Sequence, residues 1–210
     1  MVTGTSEARP PGAPEGAGYQ CADLGDDGQL EELTALVARI TPGILVNNAG
    51  INIRGDTPTF AMDAYERLQR VNVRGPFSLI QAALPGMRAR SWGRIVNITS
   101  IWGVLGNAEN AAYCASKFAL DGLTASVAAE VAADNILVNA VAPGYVHTDA
   151  VAAGYTAEML ATARQAIPLG RLASPDEIAA LVCWLASDEN TYMTGQNLLI
   201  DGGLTRTAHP

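Results

Sequence analysis

The sequence is poor in charged residues, in aromatic residues and in residues that bind metals. Charged residues occupy 16% of the 210 positions and hydrophobic residues 49%, which excludes a disordered chain and indicates a globular protein with a sizeable core. The formal net charge is −8 and no basic block is present, so we expect neither a nucleic-acid surface nor an anionic-membrane surface.

Cysteine and histidine are also scarce. Cys21, Cys114 and Cys183 lie far apart, and only His147 and His209 could join them in a metal site. This pattern excludes a disulfide framework and a zinc cluster, and it predicts reduced thiols and no bound metal. No apolar run approaches the roughly 18 residues of a membrane span, and we expect no signal peptide. The sequence therefore predicts a cytoplasmic protein without a membrane partner.

Strand and helix patterns alternate along the chain. Apolar runs predict strands at 43–50, 93–100, 136–144 and 196–203, the first of them a buried strand, with a short apolar run at 19–24 before them. Helical periodicity covers 25–40, 62–90, 110–133 and 174–187, with an interruption or bend near 74–76. Such βαβ alternation predicts an α/β fold, a Rossmann-like doubly wound parallel sheet between two helix layers, in a single domain over 1–210.

Polar and turn residues follow three of the predicted strands, at 47–50, 99–100 and 143–144. Parallel strands bring their carboxyl ends to the same edge of a sheet, and ligands of open α/β sheets bind there. We therefore expect the functional site at this edge.

Tyr113 and Lys117 share one face of the helix predicted at 110–133, because residues at i and i+4 are neighbours on a helix. A phenol has an ordinary pKa near ~10, and a nearby ammonium lowers it toward a value useful for proton transfer. Ser100, at a strand end, could donate a hydrogen bond to the same substrate oxygen. The alternative is a core aromatic residue beside a lysine that reaches the surface.

The joint pattern resembles the short-chain dehydrogenase/reductase family, from about Gly18 to Gly203, and within it the 3-oxoacyl-carrier-protein reductase and polyol dehydrogenase branch. The motifs that carry the resemblance are Asn47-Asn48-Ala49-Gly50, Asn72, Ser100, Tyr113 with Lys117, Pro143 to Thr148, and Asp201 to Gly203. The resemblance implies an NAD(P)-dependent oxidoreductase that reduces a ketone or oxidises a secondary alcohol.

The resemblance also implies roles for individual residues. Tyr113 would be the general acid or base, Lys117 would lower its pKa and bind the nicotinamide ribose, and Ser100 would orient the carbonyl. Asn72 would hold a water molecule that links Lys117 to solvent. The expected contacts to NADP or NAD are Asp23, Asn47, Ala49, Gly50, Tyr113, Lys117, Pro143, Gly144, Val146 and Thr148. Asn47, Thr148 and Asp23 could instead cap turns or helices.

Substrate contacts are expected from Trp102, Asn107 and Tyr145, with His147 as a further polar candidate, and from a closing lid at 149–170. Family resemblance also implies a homodimer or homotetramer. The face of small residues at Ala119, Gly122, Ala125 and Ala129 would suit such an interface, although a core face would explain it equally.

The N-terminus departs from the family pattern, because the strand that ends in TGxxxGxG is missing. Residues 1–18 are rich in Gly and Pro, and Gly12, Gly16 and Gly18 match GxxxGxG only in letters. Two alignments remain open: Met1–Gly4 is a relic of the first strand, or residues 2–9 are the second strand and its turn. The second is slightly favoured and makes Ser6 or Arg9 the contact to a 2′-phosphate.

Without its central first strand the sheet should have a gap or an uncovered edge. Three functions remain open at this stage. The main one is an oxidoreductase whose cofactor site is rebuilt from Thr5, Ser6, the loop 12–18 and Asp23. The alternatives are a non-redox acid–base enzyme and a cofactor-deficient subunit.

Overall fold

The computed structural model describes residues 1–5, 7–8, 15–148, 151 and 154–207. The strands are Val2–Gly4 (β1), Tyr19–Cys21 (β2), Ile44–Asn47 (β3), Gly93–Ile98 (β4), Ile136–Pro143 (β5) and Asn197–Ile200 (β6). The helices are Asp27–Ile40 (α1), Met62–Gln69 (α2), Gly75–Ala89 (α3), Ala111–Val131 (α4), Ala157–Ala166 (α5) and Pro175–Ala186 (α6). In this part of the chain no helix combines the length and the hydropathy needed to cross a membrane.

Helix boundaries follow the capping residues of the sequence. The Asp26 side chain accepts a hydrogen bond from the N–H of Gln29 and begins α1. Ser174 and Glu177 form a reciprocal capping box at the start of α6, with Pro175 in the first turn. The bend expected near 74–76 is a π-helical turn at Arg70–Arg74, which joins α2 to α3.

A parallel four-stranded sheet of order β3-β4-β5-β6 forms the centre of the fold. On one face α1, α3 and α4 bury apolar side chains together with residues of β4 and β5. On the other face α6 packs Ile178 and Leu185 against Val96 and Val141 of the sheet. The expected α/β fold with helices on both faces is thereby confirmed.

The strands β1 and β2 form a separate parallel ribbon. Val2–Gly4 pairs with Tyr19–Cys21, so the N-terminal segment contains a strand, as both alignments expect. Of the second alignment's phosphate candidates, Ser6 and Arg9 lie outside the described residues, as does Gly12. The expected gap is present, because β3 is hydrogen-bonded to β4 and otherwise forms an edge of the four-stranded sheet.

Strand β3 was predicted to be buried, but only one of its two faces is covered. Ile44 and Val46 are 47% and 41% exposed, whereas Asn47 is buried. Side chains alternate along a strand, so the exposed pair shares the face that no described helix covers. A continuous apolar run in the sequence predicts a strand that is covered on both faces. Whether both faces are in fact covered depends on the tertiary neighbours, which the run itself does not reveal.

Arg94 is a buried structural cation at the beginning of β4, with an exposure of 3%. Its guanidinium donates to the carbonyl oxygens of Gly93, Asn135, Ser187 and Asn190 at 2.9–3.4 Å. It therefore ties the sheet to the chain segment that follows α6. A guanidinium suits this role because it carries five N–H donors in a fixed geometry and can satisfy several buried carbonyl oxygens at once.

Replacing Arg94 with Ala should lower the free energy of unfolding by about 3 kcal/mol or more, since several buried carbonyls lose their donor. Urea-induced unfolding of the purified variant measures this loss. Arg90→Ala is the matched control, because Arg90 also bonds backbone carbonyls, of Thr41 and Pro42, but is exposed. An equal loss for the two variants would contradict the structural role of Arg94.

Candidate active site

The carboxyl ends of β3, β4 and β5 bring the predicted polar residues to one edge of the sheet. Ala49 and Gly50 follow β3, Ser100 follows β4, and Gly144 follows β5. Helix α4 begins at the same edge and carries Tyr113 in its first turn. The edge that the sequence indicated is therefore where the candidate active site lies.

The hydroxyl groups of Tyr113 and Ser100 interact with each other. Burial raises the pKa of the Tyr113 phenol, and the hydrogen bond with Ser100 opposes that rise. Ser100 is the N-cap of the short 3₁₀ helix Ile101–Gly103, and its hydroxyl accepts a hydrogen bond from the N–H of Trp102 at 3.2 Å. The phenol therefore stays protonated near neutral pH, which is the form that donates a proton to a carbonyl oxygen.

Lys117 is almost fully buried, with an exposure of 4%. Its Nζ donates to the carbonyl oxygen of Ile98 at 2.8 Å and lies 5.7 Å from the centroid of the Tyr113 ring. Burial lowers the pKa of Lys117 to about 8. Lys117 is not among the groups that shift the pKa of Tyr113, so the expected lowering of that pKa by Lys117 stays a prediction.

Asn72 connects the loop after β3 to α4. Its side chain lies in the π-helical turn and is fully buried. The amide exchanges two hydrogen bonds of 2.9 Å with the backbone of Ile51 and donates to the Ser116 hydroxyl at 3.0 Å. Such single-turn π segments occur frequently at functional sites. The water-holding role of Asn72 stays a prediction, since the amide is engaged with protein groups.

Gly50 allows a close approach that a side chain would prevent. A Cβ at this position would lie 3.3 Å from both Asn72 Oδ1 and Lys117 Nζ. Any larger residue would press on the buried ammonium. The absence of a side chain leaves an open cradle beside Lys117, with Ala49 and Gly50 both exposed.

Two residues predicted on the adenosine side are engaged in the protein. Asn47 is 5% exposed, and its Nδ2 donates to Asn97 Oδ1 at 2.8 Å, within the sheet and helix layers. The Asp23 carboxylate accepts from Arg67 at 2.9 Å and from the N–H of Gly25 at 2.8 Å. The hydrogen bond from Arg67 is the main cause that lowers the pKa of Asp23. Their cofactor contacts stay predictions.

The segment after β5 lies beside the end of β6. A Cβ on Gly144 would come within 2.9 Å of Asp201 Cα, so this glycine permits close packing of the two strand ends. Val146 forms a parallel bridge with Ala173. Thr148 Oγ1 accepts a hydrogen bond from the N–H of Val151 at 3.3 Å, so this side chain is engaged with the backbone of the following segment. A cofactor contact of Pro143, Gly144, Val146 or Thr148 stays a prediction.

A cavity of about 340 Å³ lies beside this edge and brings the predicted substrate residues together. Trp102, Asn107 and Tyr145 all line it. The cavity is also lined by Tyr155 and Glu158, which lie in the lid expected at 149–170, and by Asn52, Arg54 and Asn110, which were not predicted. Tyr145 and Tyr155 pack edge to face, with ring centroids 6.3 Å apart. Asn52 and Arg54 closely follow the Asn-Asn-Ala-Gly motif, and that proximity is the signal that could have found them.

The structure supports a nicotinamide cofactor at one end of this site. The cradle at Gly50 is open, and Lys117 and Tyr113 offer an ammonium and a phenol to a ribose hydroxyl beside it. Ala49 and the 143–148 segment border the same edge. Among the described residues no glycine-rich turn joins a strand to a helix in the manner that binds a pyrophosphate, so the fit concerns the nicotinamide half.

Comparisons with known proteins identify relatives of this chain. The family model described as enoyl-(acyl carrier protein) reductase matches residues 6–205. The 3-oxoacyl-[acyl-carrier-protein] reductase of Aquifex aeolicus is 41% identical over 175 residues, which cover 83% of this chain and 69% of that protein. The trans-4-hydroxycyclohexanecarboxylate dehydrogenase of Sinomonas cyclohexanicum is 43% identical over 165 residues, 79% of this chain and 61% of that protein.

A solved structure is also similar. The gluconate 5-dehydrogenase of Burkholderia cenocepacia, in complex with NADP and tartrate, aligns with a TM-score of 0.83 and 33% identity. The alignment covers 90% of this chain and 76% of that one.

Fold and site together define a dinucleotide-dependent enzyme of the open α/β class. The chain belongs to the short-chain dehydrogenase/reductase family and resembles its 3-oxoacyl-carrier-protein reductase branch. It is an NAD(P)-dependent oxidoreductase, as the main expectation from the sequence had it. The non-redox and cofactor-deficient alternatives are not supported.

Lys117→Met should raise the free energy of unfolding at pH 7 by about 1–3 kcal/mol, because each unit of pKa depression corresponds to roughly 1.4 kcal/mol. The unfolded chain binds more protons than the folded chain between the folded pKa of about 8 and the ordinary value of 10.5. The cost of the buried ammonium is therefore complete below pH 8 and disappears as the pH rises toward 10.5.

Urea unfolding of wild type and Lys117→Met at pH 7 and pH 9.5 measures both effects. The advantage of the variant should shrink at the higher pH. A variant that is less stable than wild type at pH 7 would contradict a net cost of burying Lys117.

Proposed function

We propose that Tyr113 transfers the proton in the reduction of a small-molecule ketone or the oxidation of the matching secondary alcohol. The observation that carries this proposal is the placement of Tyr113 beside Ser100 and beside buried Lys117 at the carboxyl edge of the sheet. Trp102, two residues after Ser100, lines the adjacent cavity, and Tyr155 of that cavity contributes to raising the pKa of Tyr113. The acid–base group and the substrate cavity are therefore neighbours.

In the reducing direction Tyr113 donates its proton to the carbonyl oxygen while Ser100 donates a hydrogen bond to that oxygen. NADPH or NADH supplies the hydride when bound. The Lys117 ammonium, 5.7 Å from the ring centroid, stabilises the phenolate that Tyr113 becomes. In the oxidising direction the same phenolate accepts the proton of the alcohol.

Residues on several elements would hold the cofactor. Lys117 and Tyr113 would bind the nicotinamide ribose, Gly50 and Ala49 would leave room beside it, and Val146 and Thr148 would border the carboxamide. Asp23 would bind the adenine only if its carboxylate contacted Arg67 and the adenine together, or if its ion pair with Arg67 broke. The similar gluconate 5-dehydrogenase was solved with NADP, which supports a dinucleotide site on this fold. The contribution of Thr5 and the loop 12–18 to the phosphates stays a prediction.

A homodimer or homotetramer is part of the proposal. The small-residue face of α4 at Ala119, Gly122, Ala125 and Ala129 is exposed rather than buried in the core. Phe77 on α3 and Phe118 on α4 are 50% and 46% exposed. Exposed aromatic side chains beside a face of small residues favour close approach of a second copy. We also propose a cytoplasmic location, on the basis of the sparse unpaired cysteines.

Titration of the purified chain with NADPH and NADH, followed by calorimetry, tests the cofactor site. We expect dissociation constants in the micromolar range, on the order of −8 kcal/mol. The absence of binding up to millimolar cofactor, in a chain shown to be folded by circular dichroism, would overturn the proposed redox function for this chain.

Tyr113→Phe should lower kcat by about 10²- to 10⁴-fold, because the substrate oxygen loses its proton donor. Cofactor affinity should change little, since a single ribose contact is lost. Steady-state reduction of a ketone panel with NADPH measures the effect. Tyr192→Phe is the matched control, because Tyr192 is 96% exposed and distant from the substrate cavity. A Tyr113→Phe variant with unchanged kcat would assign the proton to another group.

A further inference from the structure

Asn110 is a buried amide that takes no part in capping the helix it precedes. It occupies the N-cap position of α4, where asparagine usually accepts a hydrogen bond from a helix N–H, but its side chain makes no such bond. The residue is 2% exposed, and its Oδ1 is buried without a partner in the described part of the chain. Asn110 lines the cavity of about 340 Å³. An unsatisfied acceptor there favours a ligand that donates a hydrogen bond.

Arg54 places a positive charge on the same cavity. Its Nη2 is 3.6 Å from the Glu109 carboxylate, and the two side chains are 46% and 66% exposed. Such an exposed, loosely formed ion pair contributes little to stability, so another carboxylate can replace Glu109 at small cost. The Arg54 charge also acts on Tyr145, another residue that lines the cavity. Burial raises the pKa of Tyr145, and the positive charge of Arg54 opposes that rise.

Arg54 and Asn110 lie on two different loops, and a backbone hydrogen bond joins these loops. The N–H of Gly55 donates to the carbonyl of Glu109 at 2.9 Å and joins the loop after β3 to the loop before α4. Glu109 adopts a left-handed φ of 56°, which is uncommon for a residue with a side chain. The N-terminus of α4, with its partial positive charge, lies at the same point.

The charges of the cavity limit the ligand to a single negative group. Glu158, in the first turn of α5, lines the cavity together with Arg54. Among the described lining residues Arg54 is the one cation and Glu158 the one carboxylate, so a ligand with several negative charges would be repelled. A ligand with one carboxylate that displaces Glu109 leaves the charge balance around Arg54 unchanged.

We propose that the substrate is a small hydroxy acid or the corresponding oxo acid. Its carboxylate pairs with Arg54, and a hydroxyl group other than the reacting one donates to Asn110 Oδ1. This inference rests on the proposed function for the reaction itself. The cavity volume lies at the lower end of the roughly 300–1,000 Å³ that is usual for ligand sites, which suits a compact acid.

The reaction is balanced as a two-electron oxidation of an alcohol. The C–H bond of the carbinol breaks and its hydride reduces NAD(P)⁺ to NAD(P)H. The hydroxyl proton leaves through Tyr113, and the carbon–oxygen double bond of the oxo acid forms. Reduction runs in reverse. The carboxylate and the second hydroxyl are unchanged and serve only to orient the substrate.

Reduction of 4-oxopentanoate and of its methyl ester by the full chain with NADPH tests the Arg54 contact. Wild type should prefer the acid, and Arg54→Gln should raise its KM by about 10- to 100-fold while the KM of the ester and both kcat values stay nearly unchanged. Arg39→Gln, on the exposed end of α1, is the matched control and should alter none of these values.

The pair 2-hydroxy-4-oxopentanoate and 4-oxopentanoate tests the Asn110 contact in the same way. Asn110→Ala should raise the KM of the hydroxylated acid by about 5- to 20-fold and leave the other acid unchanged, because only the former loses a hydrogen bond. Equal effects on the two acids would show that Asn110 acts on the fold and would overturn its contact with substrate.

Calorimetric binding of the acids without turnover separates this inference from the proposed function. If no ketone is reduced but 4-oxopentanoate binds to wild type and not to Arg54→Gln, the acid site stands and the redox function fails. If acid and ester are reduced equally well and Arg54→Gln affects both or neither, the redox function stands and the acid site is overturned.

Discussion

The buried ammonium of Lys117 is the group around which the site is built. Its hydrogen bond to the Ile98 carbonyl fixes α4 against the end of β4. Two glycines make the packing around it possible: Gly50 beside the Nζ atom, and Gly103, whose Cβ would lie 2.9 Å from the Lys117 carbonyl oxygen. With these loops drawn close to α4, Ser100 and Tyr113 come within hydrogen-bonding reach. The acid–base pair thus depends on a close approach that side chains at either glycine would prevent.

The sequence predicted this edge of the sheet because strand ends and helix faces follow from local periodicity. The i, i+4 spacing of Tyr113 and Lys117 sets their common face, and the parallel order of the strands sets the common edge. Both N-terminal alignments placed Val2–Gly4 in a strand, whereas its pairing with β2 was not predicted. Local patterns sufficed wherever the relevant neighbours were close in sequence.

Other features depend on contacts between distant segments and could not be predicted. Arg54 and Asn110 reach one cavity because two loops converge through the bond between Gly55 and Glu109. The exposure of Ile44 and Val46 depends on the absence of a cover on one face of β3 within the described residues. The effect of Lys117 on Tyr113 depends on which acceptor holds the ammonium, and the sequence does not reveal that the acceptor is Ile98.

Two buried cations lie at the opposite ends of β4 and differ in how well they are satisfied. Arg94, near the start, donates hydrogen bonds to four carbonyl oxygens, so its role is structural. Lys117, at the end, has three N–H donors and one acceptor, Ile98, among the described residues. Burial without full hydrogen bonding lowers the pKa of Lys117 and leaves two donors for a ligand. Under-satisfied polar groups destabilise a fold, so their concentration at this edge, together with Asn110, is most simply explained by a ligand that completes them.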